Sequence, residues 1–121
     1  MKRAAGITYK QREIVLVPFP YSDLSASKKR PVLIVSNDTY NQRSDDVLVC
    51  VITSNKYTNA YSVDLTDKHL ETGILPEPSV VKTHKLFSVH KSKIIKKFSV
   101  VKTGFYQQVE KMIYRLVQLP K

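Results

Sequence analysis

A single cysteine, Cys50, leaves the chain unable to close a disulfide on itself. It lies inside the apolar run 47–52, where a thiol serves as a small buried side chain rather than a nucleophile. That usage suits a reducing, cytoplasmic setting. Glycine is scarce, at three in 121 residues, and six prolines do not make a low-complexity chain. Long hydrophobic runs are missing as well. After a basic N-terminus, no apolar stretch reaches the length of a signal peptide or a membrane span. His69, His84 and His90 stand at no zinc-like interval from one another or from the cysteine, so neither a metal nor another cofactor is expected.

Acid is nearly absent from the last third. Residues 1–77 carry ten Lys/Arg against nine Asp/Glu, whereas 78–121 carry ten Lys/Arg and only Glu110. Between 82 and 102 stand seven lysines and no acid. A solvated basic face is the ordinary use of such a run. The net charge of +10 and its clustering nevertheless put nucleic acid first among partners.

What is present suits one small domain over 1–121, with 42% hydrophobic residues to bury and residues 1–10 as a loose leader. The apolar run 13–17 is a strand stopped by Pro18 and Pro20, which have no amide to donate. Residues 22–29 form a serine-rich loop. The β-branched run 31–35 is a buried strand, and 36–46 holds a short helical turn. The run 47–53 is apolar on both faces, hence central. Residues 61–65 alternate like an edge strand, and 66–71 form one helical turn ended by Gly73. Strands follow at 79–86, 87–89 and 94–98. Phe105, Val109, Met112, Ile113, Leu116 and Val117 recur at helical spacing, giving a helix over 105–118 with Thr103 as N-cap and Pro120 as its stop. Strands in succession without crossover helices pair antiparallel. The fold is therefore mainly β, a small half-open barrel capped by a C-terminal helix.

Two stretches carry chemistry: QREIVLVPFPYSDLSASKKRPVLIVS over 11–36 and VLVCVITSN over 47–55. Arg30 sits where a loop enters a strand. Thr53 and Ser54 sit where another strand ends. A fixed guanidinium beside fixed hydroxyls is what a phosphate needs, so phosphodiester chemistry is the leading idea. The plain alternatives are a surface cation beside a turn and two hydroxyls capping a strand.

These elements resemble the MazF/PemK (Kid-like) toxins of type II toxin–antitoxin systems. The likeness runs through Val17-Pro18-Phe19-Pro20, Lys29-Arg30-Pro31, Ile52-Thr53-Ser54-Asn55, Thr72-Gly73-Ile74-Leu75 and Ser79-Val80-Val81 to the last helix, over 11–119. It implies a homodimer on an SH3-like barrel. It also implies a metal-independent endoribonuclease that cuts single-stranded RNA and is blocked by an acidic cognate antitoxin. The family's arginine before proline falls on Arg30, and its strand-end threonine and serine on Thr53 and Ser54. The arginine and aspartate that act as acid and base in the Kid-like branch fall on Lys82 and His84, and neither type matches.

RNA brings its own nucleophile, the 2′-OH. Lys82 and His84, two apart in an expected strand, share a face. An imidazole titrating near about 6.5 exchanges protons at neutral pH. His84 is thus the expected base or acid partner, with Arg30 on the phosphate, Thr53 and Ser54 donating to its oxygens, and Lys82 stabilising charge. The bland reading makes Lys82 and His84 the polar face of an edge strand. Ser25, Ser27, Lys28, Lys29, Asn55 and Lys85 are expected along the RNA backbone, with Tyr57 stacking on a base. Two rivals remain. One is a non-catalytic nucleic-acid-binding barrel. The other is a CcdB-type gyrase poison, disfavoured because Gln118-Leu119-Pro120-Lys121 lacks an aromatic-Gly-hydrophobic tail.

Overall fold

The computed structural model describes residues 7–18, 29–54 and 59–120. These form six strands: β1 (Glu13–Pro18), β2 (Lys29–Ile34), β3 (Asp46–Thr53), β4 (Ser62–Leu65), β5 (Ser79–His90) and β6 (Lys96–Val100). Two α-helices accompany them, α1 (Asp38–Arg43) and α2 (Thr103–Val117). All strand pairs are antiparallel, in the order β4-β5-β3-β2-β1-β6. The sheet curls into a half-barrel with α2 packed against it.

Alternation explains why the central strands read as unbroken apolar runs. Ile14, Leu33, Cys50, Ile52 and Val81 face α2, where Phe105, Tyr106 and Val109 close the core. Their chain neighbours Val15, Val17, Val32, Ile34, Val47 and Val49 are buried on the opposite face. Both faces are covered, so neither can carry polar residues. Tyr106 enters this core because its hydroxyl is satisfied: it donates to the Val35 carbonyl at 2.9 Å and accepts from Gln11 Nε2 at 3.2 Å.

The strand ends follow local chemistry. β1 runs to Pro18, and its pairing of Pro18 with Lys29 starts β2 two residues before the expected Pro31. Pro31 is tolerated there because the β2–β3 ladder begins only at Val32 opposite Val51. β6 lies at 96–100 rather than 94–98. A 3-10 turn at Lys91–Lys93 precedes it, with Ser92 N donating to His90 Nδ1 at 3.1 Å.

The last helix differs from expectation at both ends. Its N-cap is Lys102, not Thr103, because Val101 still bridges Leu70 and the Lys102 amide donates to the His69 carbonyl at 2.8 Å. The chain stays extended until that bond is made. Phe105, Val109, Met112 and Ile113 pack as the periodicity predicts, but Leu116 and Val117 are exposed. The turn expected at 66–71 is a 3-10 turn at Asp67–His69 that ends on Leu70 rather than Gly73. Gly73 stands further on, with the positive φ of 80° that favours glycine.

His69 ties this turn to α2. Its ring lies 4.7 Å from that of Phe105, and its Nδ1 accepts from the Thr66 amide at 3.0 Å. Desolvation first, then the Lys68 and Lys102 charges, lower its pKa from 6.5, against a smaller opposing effect of Asp64. The unfolded chain therefore takes up the proton more readily than the folded one. The stabilisation is present above the unfolded value and is lost as pH falls through the folded one. Replacing His69 with alanine is expected to cost about 1–2 kcal/mol in urea unfolding at pH 7.5. The gap between wild type and variant should narrow at pH 5.

Candidate active site

The strand register sets the geometry. The β2–β3 ladder begins with Val32 opposite Val51, and Arg30 and Thr53 each stand two residues outward from that pair on their own strands. Arg30 is paired with Val17 on its other side, and Thr53 with Val80. Directly opposed residues share a face, as do residues two apart along a strand. Arg30 and Thr53 are thus on the face of the Val32–Val51 pair, both half-buried. Lys82, opposite Val51, stands one row along on that same face.

Where these strands end, a hollow of about 480 Å³ opens. Lys29, Arg30, Thr53, Ser54, Ser79 and Lys96 give its polar lining. Leu16, Pro31, Ile52, Leu75, Pro76 and Phe98 give its apolar lining, and Glu77 adds a carboxylate. Phe98 has no partner residue on β1: Ile14 pairs with Ser99 and Val15 with Lys97, leaving one extra residue on β6. Bulges of this kind re-aim a side chain.

Three cations and three hydroxyls around one opening can hold a phosphate through charge-assisted hydrogen bonds. Of the residues expected to carry the chemistry, Arg30, Thr53 and Ser54 all line this hollow, as does Lys29. Lys82 and His84 are not in its lining. β5 carries an excess at that point, because Val51 pairs with Lys82 while Cys50 pairs with Leu86. Thr83, His84 and Lys85 therefore have no counterparts on β3. Thr83 turns inward, where its hydroxyl donates to the Tyr61 carbonyl at 2.7 Å, and His84 and Lys85 are exposed. The regular two-residue alternation behind a shared face does not govern this stretch. Partial desolvation, then the charges of Lys82 and Lys85, lower the His84 pKa from 6.5. Its imidazole is mostly neutral at pH 7, the form that accepts a proton.

Cys50 is fully buried, and burial pushes its pKa up to about 12, so it stays a thiol. Part of the lysine run is already engaged. Lys97 pairs with Glu13 at 3.2 Å, and Lys91 Nζ donates to the Asn41 carbonyl. Lys85, Lys93, Lys96 and Lys102 are exposed. Among the described residues, no group of three or more His, Cys, Asp or Glu could hold a metal ion, and no helix is long and apolar enough to cross a membrane.

Ser25, Ser27, Lys28, Asn55 and Tyr57 lie outside the described residues. Sequence reasoning missed Glu77, Ser79 and Lys96. Glu77 was visible as an acid between Pro76 and Pro78 and as the last acid before the basic stretch. Its approach to Arg30 depends on the curl of the sheet, which no local pattern reports.

A profile of the PemK-like, MazF-like toxins of type II toxin–antitoxin systems matches residues 10–117. No curated protein matches the sequence. Among solved structures, a mycobacterial endoribonuclease in complex with its cognate antitoxin has a TM-score of 0.74 at 17% identity, over 93% of this chain and 98% of the other. MazF from Deinococcus radiodurans has a TM-score of 0.74 at 18% identity, over 94% of this chain and 100% of the other. The Mycobacterium tuberculosis toxin MazF-mt6 has a TM-score of 0.70 at 19% identity, over 91% and 100%. At these identities the structural likeness establishes the half-barrel fold.

Proposed function

The chain belongs to the PemK-like, MazF-like toxins of type II toxin–antitoxin systems, and from that premise we propose that it is a metal-independent endoribonuclease that cuts single-stranded RNA. The observation that carries this reading is that Arg30, Thr53 and Ser54 line one open hollow. A planar guanidinium with a hydroxyl beside it matches two oxygens of one phosphodiester.

The reaction needs no outside nucleophile. The 2′-oxygen attacks phosphorus, the P–O5′ bond breaks, and the products are a 2′,3′-cyclic phosphate and a 5′-hydroxyl. Arg30, with Thr53 and Ser54 donating hydrogen bonds, holds the non-bridging oxygens as charge develops on them. His84 takes the 2′ proton, the departing 5′-oxygen takes one from solvent, and Lys82 on the Arg30 face adds positive charge. Lys29 and Lys85, with Ser25, Ser27, Lys28, Asn55 and Tyr57 in the flanking loops, follow the RNA strand. The protein works as a single domain, forms a homodimer and acts in the cytoplasm. An acidic, initially disordered antitoxin segment holds it off by lying along the basic face. The charge of +10 supports that partner, as does the structural neighbour solved in complex with its cognate antitoxin.

The test is a long single-stranded RNA incubated with purified protein in EDTA, beside the same sequence as DNA. Cleavage of the RNA alone, leaving cyclic phosphate ends, is the expected result. Salt-sensitive binding without cuts would make the protein a binding module. Trapping of gyrase on plasmid DNA would make it a gyrase poison.

A further inference from the structure

The hollow holds more than a phosphate needs. At about 480 Å³ it falls within the range of small-ligand pockets, roughly 300–1,000 Å³. One side is apolar, and Phe98 is swung into it by the extra residue on β6. A phosphate has no use for an aromatic ring, two prolines, two leucines and an isoleucine. A flat nucleobase does, because stacking and apolar contact are how unpaired bases are held.

Glu77 is the second anomaly. A carboxylate among Lys29, Arg30 and Lys96 weakens the hollow as a pure anion trap. Pro76 and Pro78 flank it, and proline both fixes its own φ and restricts the residue before it, so this short loop is stiff. Neither ion pair drawn among the described residues, Arg12–Glu71 and Lys97–Glu13, uses the Glu77 carboxylate. A stiffly carried acceptor at the rim of an apolar slot calls for donors from whatever enters it.

We propose that this side of the hollow is a nucleobase subsite and that Glu77 makes it select guanine. The proposal rests on the nuclease reading above. Among RNA bases, guanine alone presents two adjacent donors on its Watson–Crick edge, N1–H and the N2 amine. A carboxylate accepts both, one on each oxygen. Uracil sets a single N–H between two carbonyls. Adenine and cytosine each set an amine beside a ring nitrogen that would face the carboxylate lone pairs. The guanine ring lies against Phe98 while its own or the adjoining phosphate meets Arg30.

The experiment maps cut sites in a random-sequence single-stranded RNA, then compares one strong substrate with its inosine counterpart. Inosine lacks only the N2 amine. Wild type is expected to require guanine at one fixed position beside the cut. Inosine there should lower kcat/KM about 10- to 100-fold, the effect of one lost hydrogen bond to a charged group. Glu77→Gln should reduce the guanine-to-inosine ratio to within about 3-fold, and Glu77→Asp should keep the preference. Cleavage by wild type without a fixed guanine, or an undiminished ratio in Glu77→Gln, overturns the subsite and leaves the nuclease reading standing. Absence of any RNA cleavage by wild type overturns both.

Discussion

Arg30→Ala should slow RNA cleavage at saturating substrate by about 10²–10³-fold, the usual loss when a preorganised donor to a developing oxyanion is removed. Arg30 is paired with Val17 on β1, and its neighbour two residues on, Val32, is paired with Val51 on β3. Its backbone is therefore fixed in the sheet before substrate arrives. Lysine keeps the charge but not the planar fork, so Arg30→Lys should recover only a small part of the rate. Thr53→Ala should cost less by itself, since a neutral donor is weaker than a charged one. Groups acting on one phosphate are not independent, so the Arg30→Ala/Thr53→Ala double variant should fall short of the product of the single effects. Single-turnover cleavage of one defined RNA measures all four. A rate in Arg30→Ala within 3-fold of wild type, with the variant folded by circular dichroism, would remove the phosphate-binding role on which the nuclease reading stands.

The parts of this molecule that the sequence announces are those set by local periodicity. Both-face burial of 47–53 is written in its valines and isoleucine, and the helix over 103–117 in the spacing of Phe105, Val109, Met112 and Ile113. β1 runs through Pro18, paired with Lys29, one residue past the expected stop. Arg30 and Thr53 line one hollow only because β2 pairs with β3, a non-local fact. What stayed hidden depends on single extra residues and on curvature. One unmatched residue places Phe98 in the hollow, and three unmatched residues set His84 outside a regular ladder. Neither excess leaves a mark on composition or hydrophobic pattern. Lys96 and Glu77 are distant in sequence from Arg30, and only the closing of the half-barrel gathers them around it. The tail of the helical stripe misled in the opposite sense. Leu116 and Val117 keep the period after the helix has run past the sheet, so the pattern continues where the core does not.

His84→Ala should lower kcat by about 10²-fold, at the low end for a positioned proton-transfer group because the side chain is exposed. The pH profile gives the sharper reading. A general base works when unprotonated, so wild-type kcat/KM should be flat near neutrality and fall on the acid side, tenfold per pH unit. Desolvation and the charges of Lys82 and Lys85 lower the His84 pKa, so that limb should lie below pH 6.5. In His84→Ala the limb should vanish and leave a low, flat profile. Lys82→Met supplies the control that a merely structural histidine would fail. Removing the Lys82 charge relieves one of the causes holding the imidazole neutral, so the acid limb should move toward higher pH. The direction is fixed by the sign of the charge and owes nothing to the size of the shift. Lys82→Met also removes a cation from the Arg30 face, so its plateau rate should drop while its limb moves, two effects that separate cleanly on a logarithmic plot. An acid limb that survives in His84→Ala would assign the proton to another group and leave His84 as an exposed residue of the β5 excess.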